Sequence, residues 1–460
     1  MGLIADIAAR PWSACAVLEA PWREPAHVAA AFAEEPYALC LLSDGSAGAR
    51  WSYVMRRPEA VLQVRPDDPR DPFAAAAAMI GGGEPTLAGG PPFQGGLAGL
   101  VTYEAGLRRE PTVGPSRPSG WADLDAGLYA ALLAFDHHER RVLALGRGAD
   151  PAEAEARAGR ALSWLGRARP SLRVAGPLAE GFEPLTPGAR YRAAVADVTA
   201  RIAAGEIFQS NIARAWGGRL AAGATPFAVF ARLAAESPAP FAAYLRTPGR
   251  AVVSNSPERF VAVDDQRRAE TRPIKGTRPR GRDAAEDAAL AAELVASDKD
   301  RAENLMIVDL MRNDLARVCT PGSVAVPRLF ELQSFANVHH LVSTVTGRLE
   351  PGRTALDLLA AAFPPGSITG APKVQAMRVI AGHEAPRGPY CGSMIWAGLN
   401  GAFDSSVLIR TAGFIEDEGG WRFEARAGAG IVADSDPALE DAEAEVKIAA
   451  LARAFTERGP

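Results

Sequence analysis

Apolar and polar positions change rhythm often along this chain, and the changes mark elements. Residues 37–42, 60–64 and 142–145 are short apolar runs of strand length. Residues 93–104, from Phe93-Gln-Gly-Gly to Tyr103-Glu104, read as a buried strand whose glycines admit close backbone approach. Gly-Gly-Gly at 81–83 and Gly-Gly-Pro-Pro at 89–92 read as loops. Residues 152–165 are alanine-rich and helical, and 167–190 carry four prolines and several glycines, as a linker does. Helical periodicity returns over 191–204 and stops at Gly205, a good C-cap. Strand-like runs at 251–254 and 260–263 precede long helices, and 394–431 is strand-rich. The helix beginning near Ser297 turns almost wholly apolar after Asn304, so its body is expected to be buried, with Asp309, Arg312 and Asp314 paired or capped.

These elements interleave without the βαβ rhythm of a doubly wound sheet. The expectation is an α+β fold, a large composite of mainly antiparallel sheets packed together with helices outside. The boundaries expected are an N-terminal domain over 1–165, a linker over 166–190 and a catalytic domain over 191–455. Length and apolar content, 460 residues and 48%, suffice for a large core, and a net charge of −4 argues against binding a nucleic-acid backbone. The scattered cysteines (15, 40, 319 and 391) have no metal-ligand spacing and suit reduced thiols. No apolar run approaches a membrane span, and Met-Gly-Leu-Ile-Ala-Asp has neither signal-peptide layout nor a myristoylation motif. A cytoplasmic protein is the expectation.

Chemistry concentrates after residue 200. Lys275, in Pro-Ile-Lys-Gly-Thr277, is either a solvated turn lysine or, if desolvated beside acids, a nucleophile. Asp436-Pro437 reads as N-cap and first turn of a last helix, in which Glu440, Glu443 and Lys447 share one face. That stripe is either an ion-paired surface or one wall of a polar site. Glu303 sits where exposed acidic sequence meets buried sequence, and Glu303 with Glu443 suits Mg²⁺, which takes one or two carboxylates, waters and an anionic substrate. The loop Gly366-Ser367-Ile-Thr-Gly-Ala-Pro-Lys373 fails the Walker pattern because Pro372 precedes the lysine and no Ser or Thr follows it. It suits a small carboxylate at a helix N-terminus, while Lys373 equally suits a buried salt bridge. Arg410, read within an apolar strand over 406–411, demands an anion, to which Tyr390 is a candidate donor or else a core residue. Gly428, read as following a strand, offers bare backbone N–H groups. Glu258, in Ser-Pro-Glu-Arg-Phe, is a candidate general acid, and His340 is a catalyst or a satisfied core histidine.

Taken in order over residues 190–450, these segments resemble the chorismate-utilising enzymes: anthranilate, aminodeoxychorismate, isochorismate and salicylate synthases. The resemblance rests on Gly-Glu-Ile-Phe-Gln209-Ser-Asn, Ser-Pro-Glu-Arg-Phe, Pro-Ile-Lys-Gly-Thr-Arg-Pro-Arg, the Glu303-Asn304 helix, Gly-Ser-Ile-Thr-Gly-Ala-Pro-Lys and the last Glu/Glu/Lys helix. It implies Mg²⁺ at Glu303 and Glu443 with Glu440 nearby, gripping the ring carboxylate of chorismate. It also implies Arg410 and Tyr390 on the enolpyruvyl carboxylate, and Thr277, Ser367, Gly428 and Lys447 in the substrate pocket. Glu258 would assist departure of the C4 hydroxyl, with His340 near it. Water-adding members carry a lysine base where this chain has Gln209, anthranilate synthases typically have alanine at Lys275, and Asn304 also resembles the aminodeoxychorismate branch. That branch implies a covalent Lys275 intermediate and ammonia from a separate glutamine amidotransferase, for which this chain has no Cys–His nucleophile of its own. The alternatives are an anthranilate synthase large subunit and a non-catalytic amidotransferase scaffold. Some relatives bind tryptophan through a Leu-Leu-Glu-Ser-like segment, from which Leu41-Leu42-Ser43-Asp44 departs.

Overall fold

Strands such as Gly96–Val101, Leu124–Tyr129 and Ser393–Gly398 are buried at every position, because each sheet has another sheet on one face and helices on the other. A computed structural model describes residues 12–46, 48–81, 86–114, 118–169, 176–335 and 338–456. Parts of the 81–83 loop and of the 166–190 linker, and the chain start, lie outside the described residues.

One sheet runs Ala14–Pro21, Arg141–Gly148, Ala131–Asp136, Trp51–Met55, Leu39–Leu42, Phe241–Thr247, Arg250–Ser256, Thr411–Asp417, Gly420–Ile431, Gln209–Arg219 and Gly370–Ala371. The other runs Ile274–Pro279, Val338–Arg348, Arg268–Thr271, Arg259–Val263, Phe403–Val407, Ser393–Gly398, Gly96–Val101, Leu124–Tyr129 and Ala60–Val64. Neighbouring strands pair antiparallel throughout, as in Ser210↔Ile431 to Arg219↔Arg422. Both sheets take strands from before and after residue 166. The α+β expectation with antiparallel sheets and outer helices matches this architecture.

Between the sheets Tyr53 and Phe93 pack edge to face and Trp396 is tilted against both, with centroids 5.2–6.3 Å apart. Helices Gly188–Ala203, Pro226–Glu236 and Pro437–Thr456 cover the first sheet, and Asp298–Ala316 and Ala355–Ala362 cover the second. Among the described residues no helix is long and apolar enough to cross a membrane.

The Asp298–Ala316 helix corrects one expectation. Only the stripe Asn304, Ile307, Val308, Met311, Asp314 and Leu315 is buried, the three- and four-residue spacing of a helix with one face on a sheet. Asp309 and Arg312 therefore pair on the solvent side at 2.8 Å. Asp314 points inward and meets Lys373 at 2.7 Å, and that ammonium also donates to the Ala362 carbonyl at 2.5 Å. Lys373 is thus the buried salt-bridge partner, committed to protein acceptors. Burial pushes the Asp314 carboxyl up and the Lys373 charge opposes it. Lys373→Met leaves this carboxylate unpaired and is expected to lower unfolding free energy in urea by about 3–5 kcal/mol. Restoring neutrality with Asp314→Asn in the same chain is expected to recover part of the loss.

Candidate active site

The candidate residues come from both sheets, the helix Asp298–Ala316 and the last helix. Lys275 stands in an irregularity of the edge strand Ile274–Pro279, where pairing with Val338–Arg348 slips between Ile274 and Thr277. Gly276 makes the slip: its φ is 84°, and a Cβ there would lie 2.8 Å from Leu294 Cδ1. The bulge turns Lys275 inward, with Nζ 3.7 Å from Glu303 Oε2 and both side chains mostly buried. The solvated-turn reading of Lys275 does not hold.

Glu258 lies in the two-residue break between Arg250–Ser256 and Arg259–Val263 and is 7% exposed. Burial pushes its carboxyl up to about 7, against the Ser367 hydroxyl that donates to it at 2.9 Å and the charge of Lys275. Near neutrality it therefore holds a proton for a substantial fraction of the time. Gln209, the first residue of Gln209–Arg219, is fully buried, and among the described residues neither its amide oxygen nor its amide nitrogen has a hydrogen-bond partner. A Cβ at Gly430 would lie 2.4 Å from Gln209 Nε2 and 3.2 Å from Lys275 Nζ, so the glycine keeps both groups over one space.

The last helix forms another wall. Asp436 caps it, accepting from the N–H groups of Ala438 and Leu439. Glu440 is buried and accepts from Ser435 Oγ at 2.7 Å; burial raises its pKa and the Glu443 charge adds to that. Glu443 is half-exposed, as is Lys447; its partial burial pushes the carboxyl upward, but Lys447, Lys275 and Lys299 outweigh that and hold it below its usual range. Lys447 pairs with Glu443 at 2.7 Å and donates to the Gly428 carbonyl at 3.0 Å. Gly428 lies inside the strand Gly420–Ile431 opposite Ala213, not after a strand, and takes part through that carbonyl. Lys299, one turn before Glu303 and paired with Asp434 at 3.4 Å, was not singled out from sequence, although its spacing from Glu303 was the available signal.

On the opposite wall the Nδ1 of His340 shares a hydrogen bond with Thr277 Oγ1 at 2.9 Å. Burial pushes the His340 pKa down to about 4, and the Arg410 charge adds to it, so the ring is neutral at physiological pH. Arg410 corrects its predicted setting. The strand stops at Val407 and the next begins at Thr411, leaving Arg410 in the connection with φ of 51°. Its guanidinium is largely buried, and burial lowers its pKa; among the described residues no carboxylate pairs with it. A buried guanidinium without an anion is prepared to receive one. Tyr390 is buried, with its ring centroid 5.7 Å from the Arg387 guanidinium; among the described residues no hydrogen bond joins it to Arg410. Lys275 is linked by contact or charge to Glu303, Glu258 and Glu443, Glu258 to Ser367, and Glu443 to Lys447 and Glu440, while His340 links Thr277 and Arg410.

The described residues contain no group of three or more His, Cys, Asp or Glu side chains arranged as a metal cage. Glu303, Glu440 and Glu443 stand instead as neighbouring carboxylates among Lys275, Lys299 and Lys447.

A family model for chorismate binding enzymes matches residues 39–453. This chain belongs to the chorismate binding enzyme family. Within it, the chain is 40% identical over 409 residues to anthranilate synthase component 1 of Streptomyces coelicolor, covering 85% of this chain and 78% of the relative. It is 41% identical over 360 residues to aminodeoxychorismate synthase component 1 of Salmonella typhimurium, covering 78% and 76%. Anthranilate synthase component I from Streptococcus pneumoniae superposes with a TM-score of 0.77 at 28% identity, over 89% of this chain and 93% of that one. Two activities at near-equal identity leave the choice between branches to individual side chains of this chorismate binding enzyme. A cavity of about 210 Å³ beside Leu41 and Leu42 is shared by the N- and C-terminal parts, walled by Trp51, Tyr53, Trp396 and Arg259. Ser43 and Asp44 are engaged there in their own turn, Ser43 with the Ala49 carbonyl and Asp44 with Ser46.

Proposed function

We propose that this chain is the synthase subunit of an aminodeoxychorismate synthase, converting chorismate and ammonia to 4-amino-4-deoxychorismate. The observation that carries the reading is Lys275, turned inward at the Gly276 bulge, beside Glu303 and close enough for its charge to act on Glu258. Gln209, neutral and without a hydrogen-bond partner among the described residues, supports an ammonia-using rather than a water-using reaction, because water requires a base at that position and ammonia does not. Arg410 receives the enolpyruvyl carboxylate, and Lys447 and the backbone around Gly428 flank the second anionic group.

Mg²⁺ suits a pair of carboxylates, with Glu443 held ionised, that leaves positions for water and substrate oxygen. Glu303 and Glu443, with Glu440 beside them, would hold it, and when bound it supplies positive charge to the ring carboxylate. The rest is done by side chains. Lys275 releases its ammonium proton to solvent and the resulting amine attacks C2 while the ring double bond shifts and the C4–O bond breaks. Glu258 gives its proton to the departing hydroxyl, which leaves as water. Ammonia then attacks C4, the double bond returns and the C2–N bond breaks, releasing Lys275 as amine. The proton shed by the new C4 ammonium restores Glu258, so one ammonia is consumed and one water is released. Ammonia comes from a glutamine amidotransferase partner, and tryptophan has no part in this reading.

A second reading, anthranilate synthase component I, is favoured by the Streptomyces coelicolor relative and opposed by Lys275. Purified chain with chorismate, Mg²⁺ and ammonium is expected to yield 4-aminobenzoate once a lyase is added, and chelation of the metal is expected to stop it. Fluorescent anthranilate as the main product sinks the assignment.

A further inference from the structure

Arg387 touches none of the reacting groups, yet it is 3% exposed and four of its guanidinium donor directions are used. Nε and Nη2 grip the Glu384 carboxylate at 3.0 and 2.7 Å. Nη2 also donates to the Asn211 carbonyl at 2.8 Å, and Nη1 to the Ile368 carbonyl at 3.1 Å. Those two carbonyls belong to the segments that carry Gln209 and Ser367. The segments are otherwise tied by the Asn211 N–H to Thr369 carbonyl bond at 2.9 Å and by the short pairing Gln209↔Ala371. The guanidinium lies 4.7 Å from the Tyr103 ring centroid. Its backbone is anchored from the N-terminal part, where Glu104 accepts from the N–H of Arg387 at 2.7 Å and of Gly388 at 2.9 Å.

We propose that Arg387, anchored by Glu104, is a positioning residue that locks the Gln209 and Ser367 segments together, so that the Ser367 hydroxyl meets Glu258 and the Gln209 amide faces Lys275. A guanidinium suits this because its rigid fork reaches a carboxylate and two carbonyls at once; an ammonium cannot span the same acceptors. The inference rests on the proposed reaction only for its activity measurement.

The decisive experiment measures the Glu258 titration by carboxyl NMR, with Glu258→Gln as the blank, in wild type, Arg387→Lys, Ser367→Ala and the double variant. The groups facing Glu258 are Ser367, which lowers its pKa, and Lys275, which does the same. Arg387→Lys is expected to raise the Glu258 midpoint as Ser367→Ala does, and to add nothing in the Ser367→Ala background. In parallel, kcat for chorismate consumption is expected to fall by about tenfold or more while KM changes less than about threefold. A folded Arg387→Lys with unmoved midpoint and kcat, or a shift that adds in full to that of Ser367→Ala, overturns the proposal. If Arg387→Lys does not fold, Glu104→Gln, which leaves one of the two anchoring N–H groups without its acceptor, must move midpoint and kcat in the same direction, and an unmoved Glu258 there overturns it too. Anthranilate as the wild-type product would remove the C4 reading and leave this one standing, because both measurements are blind to which carbon is aminated.

Discussion

Lys275→Ala is expected to cut formation of 4-amino-4-deoxychorismate by about a thousandfold or more, the scale seen when a covalent nucleophile is removed. The side chain is held by the Gly276 bulge between Glu303 and the Glu258 field, so truncation removes the attacking atom and leaves the Glu443–Lys447 and Glu258–Ser367 contacts in place. Without the first displacement at C2, ammonia can reach the ring only by a single displacement, and residual amination is expected to move to C2. Mass spectrometry supplies the complementary result: with chorismate and Mg²⁺ but no ammonia, wild type is expected to carry a chorismate-derived adduct on Lys275. No adduct in wild type, together with near-normal C4 amination in Lys275→Ala, would falsify the covalent route.

Glu258→Gln is expected to lower kcat by about 10²- to 10⁴-fold, the usual contribution of a positioned general acid. The amide keeps the volume and still accepts from Ser367, so the fold is expected to be unchanged. The pH dependence follows from the sign of the shift. Burial raises the carboxyl to about 7, so the proton-donating form prevails below that value and is lost as pH rises through it. Wild-type kcat/KM is therefore expected to decline above about pH 7, a limb absent from the variant. A limb that persists in Glu258→Gln assigns the titration elsewhere and removes Glu258 as the acid.

The helix of residues 298–316 shows how far sequence reading reaches. Its start near Ser297 is legible in the sequence, and the structure adds the cap: the Ser297 hydroxyl accepts from the Asp300 N–H at 3.2 Å. Its burial was overestimated because an apolar run does not tell which stripe meets the sheet; that depends on neighbours distant in sequence. Arg410 failed in the same way, since an apolar run over 406–411 conceals a backbone that turns left-handed before Thr411.

By itself the sequence determined the α+β class, the capped last helix with its Glu440, Glu443 and Lys447 stripe, and the set of polar residues available to a site, because periodicity and local capping are short-range properties. Only the tertiary structure decided which of those residues share a space. Lys275 faces Glu303 across 28 positions of chain, and Ser367 reaches Glu258 across 109. The raised Glu258 pKa, the neutral His340, the Gln209 amide without a hydrogen-bond partner among the described residues, and the Arg387 lock all arise from burial and from partners far away in the chain. Desolvation and long-range pairing are properties of the packed sheets, and no local pattern of residues encodes them.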